Sequence, residues 1–513
     1  MPDLTWVPPR IRPSSEDDAA EVREVERIIA QGPFSDTWES LEAYEPPTWY
    51  IDAKFGIFVH WGAASVPATM SEWYPRLMYR RGSEEHLLHR EHHGSLAEHG
   101  YKDFLPRFTM ADYDAPQMAA LFRQAGARFV VPVAEHHDGF TMYDEPRTRW
   151  RAPLVGPRRD AFGELAQATR ELGMIAGASS HRAENWWFFN GGRVGETDVQ
   201  EPEWSDLYGP AAREEVSPDE DFLQDWLLRT VHIIDRYRPQ MLWFDFYIEA
   251  PGFEPYLRKV AAYYYNRAAE WGRGVVLFYK NEAFRPGTAV FDVERGASAG
   301  IRPEIWQNET AVSRNAWGHI DTHDYKTQRE IVSELVDVIS KNGCLLLNVG
   351  PKADGTLPSE EAELLRGVGR WLDVNGEGVY GTRPWRVFGE GPTASRAGAM
   401  IDAAPFELAH GDFRFTWRTN ADVDYLYVLA VTAESRDVVV RSLASELNLL
   451  EGEVESVVLL GDLEPLVWRR DGDALRVHLP DSVDLQDGFG LRVAVQRPPR
   501  IERRDFLHNG TAP

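Results

Sequence analysis

Cysteine is almost absent from this 513-residue chain. The one thiol, Cys344, excludes an intrachain disulfide, and its place in the apolar run Cys344-Leu345-Leu346-Leu347-Asn348-Val349 makes it a small buried hydrophobe rather than a nucleophile. No stretch approaches the ~20 apolar residues of a membrane span. The N-terminus, Met1-Pro2-Asp3-Leu4-Thr5-Trp6-Val7, lacks the basic start and apolar core of an export signal, so the expectation is a cytoplasmic protein. Basic residues are also in short supply, 55 against 81 acidic side chains, for a net charge of −26. Such a surface repels phosphate backbones and anionic lipid, which argues against nucleic acid and membrane as partners. There is no internal repeat and no low-complexity block.

Aromatic residues are plentiful, at 12% with 18 tryptophans. Exposed aromatic faces take the apolar face of a sugar or a base, and with nucleic acid disfavoured by charge the composition points to carbohydrate.

Strand and helix signals alternate through the first three quarters of the chain. Phe55-Gly56-Ile57-Phe58-Val59-His60 reads as a strand with a polar end. Asp114 caps a helix that Gly126 closes before the strand Phe129-Val130-Val131-Pro132-Val133-Ala134. A helix over 165–172 precedes Met174-Ile175-Ala176-Gly177-Ala178, and helical spacing of Phe222, Trp226, Leu227, Ile233 and Ile234 precedes Met241-Leu242-Trp243-Phe244-Asp245. Further strands read at 275–279, 289–294 and 344–349. About eight such units imply an α/β fold, a (β/α)8-like barrel, in which catalytic groups sit at the C-terminal ends of the strands. His60, His136, His137, His181, Asp245 and Glu294 all fall at strand ends. Beyond Gly378 the pattern turns to short alternating runs, Phe413–Trp417, Tyr425–Leu429 and Leu475–Leu479, which predicts an antiparallel β-sandwich. The expected organisation is an N-terminal lead-in over 1–44, a catalytic barrel over 45–385, a sandwich over 386–498 and a polar tail over 499–513.

The segment Glu135-His136-His137-Asp138-Gly139-Phe140, at the end of a buried strand, reads as the rim of a polar pocket. Asp245, flanked by Leu242, Trp243, Phe244, Phe246 and Tyr247, is a poorly hydrated carboxylate that imidazoles from other strand ends could keep ionised. Paired with a protonatable carboxyl it matches the two-carboxylate arrangement of retaining glycosidases, and Glu294 is the best-placed partner.

Several ordered motifs then carry a family resemblance. Trp49-Tyr50-Ile51-Asp52-Ala53-Lys54-Phe55-Gly56-Ile57-Phe58-Val59-His60-Trp61-Gly62, Ser71-Glu72-Trp73-Tyr74, His136-His137-Asp138-Gly139-Phe140 and Leu242-Trp243-Phe244-Asp245 resemble the α-L-fucosidases of glycoside hydrolase family 29. Gly156–Asp160, Trp317-Gly318, Leu346–Pro351 and the stretch from Trp371 to Pro384 continue the match in order. The resemblance implies retaining hydrolysis of terminal α-linked L-fucose, a fucosylated carbohydrate partner and no metal or organic cofactor; a homo-oligomer is allowed. Carried over by motif, Asp245 is the nucleophile. His60, Glu72, Trp73, His136 and His137 bind the sugar, with Trp243 and His181 added to the binding wall. Glu294 is the acid/base, with Glu304 and Glu309 as alternatives, and its rival reading is a surface ion pair with Arg295 or Arg302.

Two departures stand out. Glu135 replaces the lysine that commonly precedes the paired histidines, and Ser179-Ser180-His181 replaces a tyrosine-containing strand end. Two other classes stay open: a metal-dependent barrel hydrolase built on the histidines and Asp245, and a catalytically silent carbohydrate-binding relative.

Overall fold

The computed structural model describes residues 8–9, 11, 15–214, 216–420 and 423–497; the polar tail read from the sequence lies outside them. Eight strands close into a parallel barrel in chain order: β1 (Phe55–Val59), β2 (Phe129–Glu135), β3 (Ile175–Ser180), β4 (Met241–Phe244), β5 (Val276–Tyr279), β6 (Val290–Glu294), β7 (Trp306–Ala311) and β8 (Gly343–Val349). β8 closes on β1 with Phe55 opposite Leu345 and Val59 opposite Val349. With helices outside and side chains filling the inside, β1, β2, β4, β5 and β8 are buried along their full length, which is why they read as unbroken apolar runs.

Side-chain caps start the helices. Asp114 accepts the N–H of Gln117, Asp160 that of Gly163 and Asp219 that of Phe222, each at 2.9 Å. These caps fix the starts of Ala115–Gln124, Ala161–Glu171 and Glu220–Tyr237. The helix read over 165–172 therefore begins earlier, where Asp160 satisfies its first turn. Within the N-terminal lead-in, Ser15–Gln31 is a helix that buries Val25, Ile28 and Ile29 in the barrel's core, an i, i+3, i+4 stripe in an otherwise charged segment. Among the described residues no helix is long and apolar enough to cross a membrane.

β7 was not legible as a strand. Its sequence, Trp-Gln-Asn-Glu-Thr-Ala, is mostly polar yet wholly buried. Gln307 and Glu309 lie on one face of it, and both find partners inside the barrel: Gln307 donates to Asp292 and Glu309 pairs with Lys280.

The C-terminal unit is the expected sandwich of two antiparallel sheets. One has six strands, in the order β14 (Asp462–Pro465), β13 (Glu453–Leu459), β17 (Phe489–Gln496), β11 (Val423–Ala430), β10 (Phe413–Arg418) and β9 (Arg383–Glu390); the other has three, β12 (Asp437–Val440), β16 (Leu475–His478) and β15 (Val467–Arg470). β11 shows how the units join. Leu426, Val428 and Ala430 point into the sandwich core, while Tyr427 and Leu429 on the opposite face join the barrel's core. Alternation with both faces buried is the signature of an internal layer.

Candidate active site

A cleft of about 540 Å³ opens at the C-terminal ends of the barrel strands, within the usual range for a small-molecule site. It brings together His60, Glu72, Trp73, His136, His137, His181, Trp243, Asp245, Glu294 and Glu309, ten of the eleven residues singled out from sequence. Glu304 is the exception. It is exposed and lines a separate depression beside Tyr279 and Arg302.

At the centre lies a lysine that sequence reasoning missed. Lys280 follows β5 directly, and its Nζ sits 2.9 Å from Asp245 Oδ1, 2.7 Å from Glu294 Oε2 and 2.5 Å from Glu309 Oε1, over the Trp243 ring. Because Asp245 Oδ1 and Glu294 Oε2 share this ammonium at 2.9 and 2.7 Å, those two oxygens are at most about 5.6 Å apart, compatible with the ~5–5.5 Å carboxyl separation of a retaining glycosidase. The rival reading of Glu294 as a surface ion pair with Arg295 or Arg302 is corrected: its ion-pair partner is Lys280. Arg295 turns inward to Asp402 at 3.0 Å. The missed signal was a lone lysine ending the apolar strand Val276-Leu277-Phe278-Tyr279.

Burial alone would raise the Asp245 carboxyl, but Lys280 and then His181 and His137 outweigh it and hold the group well below the usual carboxylate range. Its Oδ2 accepts from His181 Nδ1 at 2.8 Å and Oδ1 from the Phe246 N–H at 2.9 Å. Glu309 is only 1% exposed and burial pushes its carboxyl well up, whereas the Glu294 side chain is 23% exposed. Only Glu294 of the two can meet both a leaving group and water. Below them, Asp292 accepts from Trp243 Nε1 at 2.9 Å and is pushed up to about 7, chiefly by burial.

The imidazoles are set by their partners. Asn348 donates from its amide nitrogen to the Trp317 carbonyl at 2.7 Å, so its oxygen faces His60 Nδ1 at 2.6 Å. That nitrogen therefore carries the proton, and because burial holds the ring neutral, Nε2 is left as an acceptor toward the cleft. Burial likewise depresses His136, and it brings His137 down to about 3. His137 Nδ1 lies 2.8 Å from Glu184 Oε2 in a geometry short of a hydrogen bond, and Glu184 is pushed well up by burial. Trp73 stacks on the His137 ring at 5.4 Å and 18°. Glu72 Oε2 is buried without a hydrogen-bond partner, an acceptor left for a ligand's hydroxyl.

Both paired histidines face the cleft, although alternation along a strand would separate them. The reason is local. Pairing of β2 with β3 slips between Val133 and Glu135, a bulge that re-aims the residues after it, and β2 ends at Glu135, so His136 and His137 lie in a turn closed by Gly139 N–H to the His136 carbonyl. Glu135 faces away from the cleft into a buried network, 3.1 Å from Arg182 and 3.3 Å from Arg229, with both arginines also 2.8 Å from Asp225. His181 is 1% exposed and packs among His60, His136 and Trp243. Its Nδ1 bonds Asp245 at 2.8 Å and its Nε2 lies 3.2 Å from Ser179 Oγ.

One ligand atom each from His60, His136 and His181 lies within 4.8 Å of the others, and the same holds for His137, His181 and Asp245; either set could hold a metal ion. A dication at the second set would sit near the Lys280 ammonium, which already compensates Asp245, and the two cations would repel each other.

Comparison with known proteins meets this geometry. The alpha-L-fucosidase family model matches residues 22–377. The tissue alpha-L-fucosidase of Rattus norvegicus is 30% identical over 368 residues, 71% of this chain and 76% of that protein. The plasma alpha-L-fucosidase of Homo sapiens is 30% identical over 376 residues, 69% of this chain and 73% of that one. Among solved structures, the Thermotoga maritima alpha-fucosidase superposes with a TM-score of 0.71 at 26% identity, covering 90% of this chain and 100% of that chain. Matches of this extent in sequence and in fold place the chain in the alpha-L-fucosidase family.

Proposed function

We propose that the chain is a retaining exo-α-L-fucosidase acting on terminal α-linked L-fucose of glycosides or oligosaccharides. The observation that carries the retaining mechanism is the Asp245–Lys280–Glu294 bridge, in which one ammonium contacts both carboxyl groups at 2.9 and 2.7 Å and so keeps their nearest oxygens within the reach a nucleophile and its acid/base need. Membership of the alpha-L-fucosidase family and a solved neighbour described in complex with fucose, at 25% identity and a TM-score of 0.70, support the sugar.

In this reading Asp245, kept ionised, attacks the anomeric carbon. As the C–O bond to the leaving group breaks, its electron pair takes the proton of Glu294. Glu294, now a carboxylate, draws a proton from water, whose oxygen displaces Asp245 and restores the starting anomer. His60 Nε2 and Glu72 Oε2 accept hydroxyl protons of the sugar, and Trp73 offers an aromatic face to its apolar side.

A second reading, metal-dependent hydrolysis, is favoured by the His60–His136–His181 cluster. The tests separate the two. Asp245→Ala is expected to remove at least about 1,000-fold of kcat on an aryl α-L-fucoside while the fold persists, and proton NMR of the wild-type reaction to show α-fucose forming first. Early β-fucose would overturn retention; loss of activity on chelation, restored by zinc, would favour the metal reading.

A further inference from the structure

Resting on the fucosidase reading above, we propose that the C-terminal unit completes the active site: the loop between β9 and β10 forms the subsite for the sugar that carries the fucose, with Met400 as its apolar platform.

The loop leaves the sandwich and pairs with the chain just past β6. Ala297 and Gly398 exchange N–H···O bonds at 3.0 and 3.1 Å, Met400 N–H donates to the Glu294 carbonyl at 2.9 Å and Ile401 N–H to the Arg295 carbonyl at 2.8 Å. Gly296 lets the two backbones meet, since a Cβ there would lie 2.4 Å from the Gly398 carbonyl oxygen. The loop is anchored in the barrel by Asp402, 5% exposed, whose Oδ2 takes Arg295 at 3.0 Å, Lys326 at 2.9 Å and Thr310 at 2.8 Å. Arg295 in turn lies over the Trp317 face at 4.2 Å, and that ring packs 5.3 Å from His60.

Met400 is held above these anchors in an uncommon backbone conformation, φ +56, with 63% of its surface exposed. A left-handed conformation at a non-glycine residue is strained, and such strain clusters at ligand sites. It lines the cleft together with Ala403. In a retaining mechanism the leaving oxygen must lie against the acid/base carboxyl, so the leaving sugar departs past Glu294, and the residue bonded to the Glu294 backbone is Met400. A flexible, polarisable thioether beside a small alanine suits the C–H face of a pyranose.

The test compares wild type with Met400→Gly, which relieves the positive φ, and Met400→Ala. The substrates are α-L-fucosyl fluoride, which carries no leaving sugar, and the fucosyl disaccharide that the wild type cleaves fastest. The expected result is fluoride turnover within twofold of wild type, and a fivefold to tenfold lower kcat/KM on the disaccharide, through KM. Equal loss on both substrates, or no loss on either, would overturn the subsite. Calorimetry in an Asp245→Asn background keeps the two proposals separable. There the disaccharide is expected to bind at least fivefold tighter than fucose, and to lose that margin with Met400→Gly; no margin overturns the subsite even if the enzyme proves inert toward the fluoride, a result that would overturn the fucosidase reading instead.

Discussion

One ammonium decides the electrostatics of the site. Without Lys280, Asp245 would keep His181 and His137 but lose the largest influence that opposes its burial, so its pKa would rise. Lys280→Met is therefore expected to lower kcat/KM on an aryl fucoside by about 100-fold and to move the acid limb of the pH profile upward. Lys280→Arg, which retains the charge, is expected to return part of the rate and the original limb. An unchanged limb in the methionine variant would show that Lys280 acts through packing on Trp243 alone. The same residue shows why sequence reading fell short here. Asp245 and the histidines came with recognisable neighbours, whereas a lysine after four apolar residues looks like any strand terminus until the barrel closes and sets three carboxylates around it.

Among the elements, β2 and its bulge matter most. The bulge and the turn after it aim His136 and His137 into one cleft, and behind them Glu135 lies between Arg182 and Arg229. Breaking a buried pair leaves an uncompensated charge, so Glu135→Ala is expected to destabilise the protein by about 3 kcal/mol in urea unfolding. A loss below about 1 kcal/mol would mean that Asp225 alone balances both arginines. The replacement of lysine by glutamate at position 135, noted from sequence as a departure, is thus a structural charge beneath the site. β7 is the complementary case. Its polar residues are tolerated at full burial because β6 and β8 complete its ladder and Asp292 and Lys280 meet its inward side chains, and none of those partners is adjacent in sequence.

For the whole molecule, buried titrating groups set the response to pH. Burial pushes Glu361 up to about 8 from an ordinary value near 4.5, although its Oε2 accepts the Gly350 N–H at 2.9 Å. Between those values the folded protein keeps a proton that the unfolded chain releases, so stability falls as pH rises through the window, by at most about 1.4 kcal/mol per pH unit. The buried imidazoles act in the opposite sense, losing stability as pH falls below about 6.5. Glu361→Gln removes only the first contribution. Melting temperatures of wild type minus variant, taken from pH 5 to 8, are expected to decline steadily, and a flat difference would show that Glu361 is not protonated in the fold.

The sequence by itself determined the architecture and most of the residues that line the cleft. Buried parallel strands must be apolar throughout and end in whatever lines the site, so strand ends at His60, His136, Asp245 and Glu294 could be read in one dimension, as could the change to alternating strands beyond Gly378 and the fate of Cys344. The tertiary structure alone decided which carboxylate stands exposed beside Asp245, separating Glu294 from the buried Glu309 and the distant Glu304. It alone brought Lys280 among them and set the loop of Met400 and Asp402 on the strand that bears Glu294. Those are pairings between residues far apart along the chain. Coulombic compensation depends on distances that barrel closure sets, and no local pattern in the sequence records them.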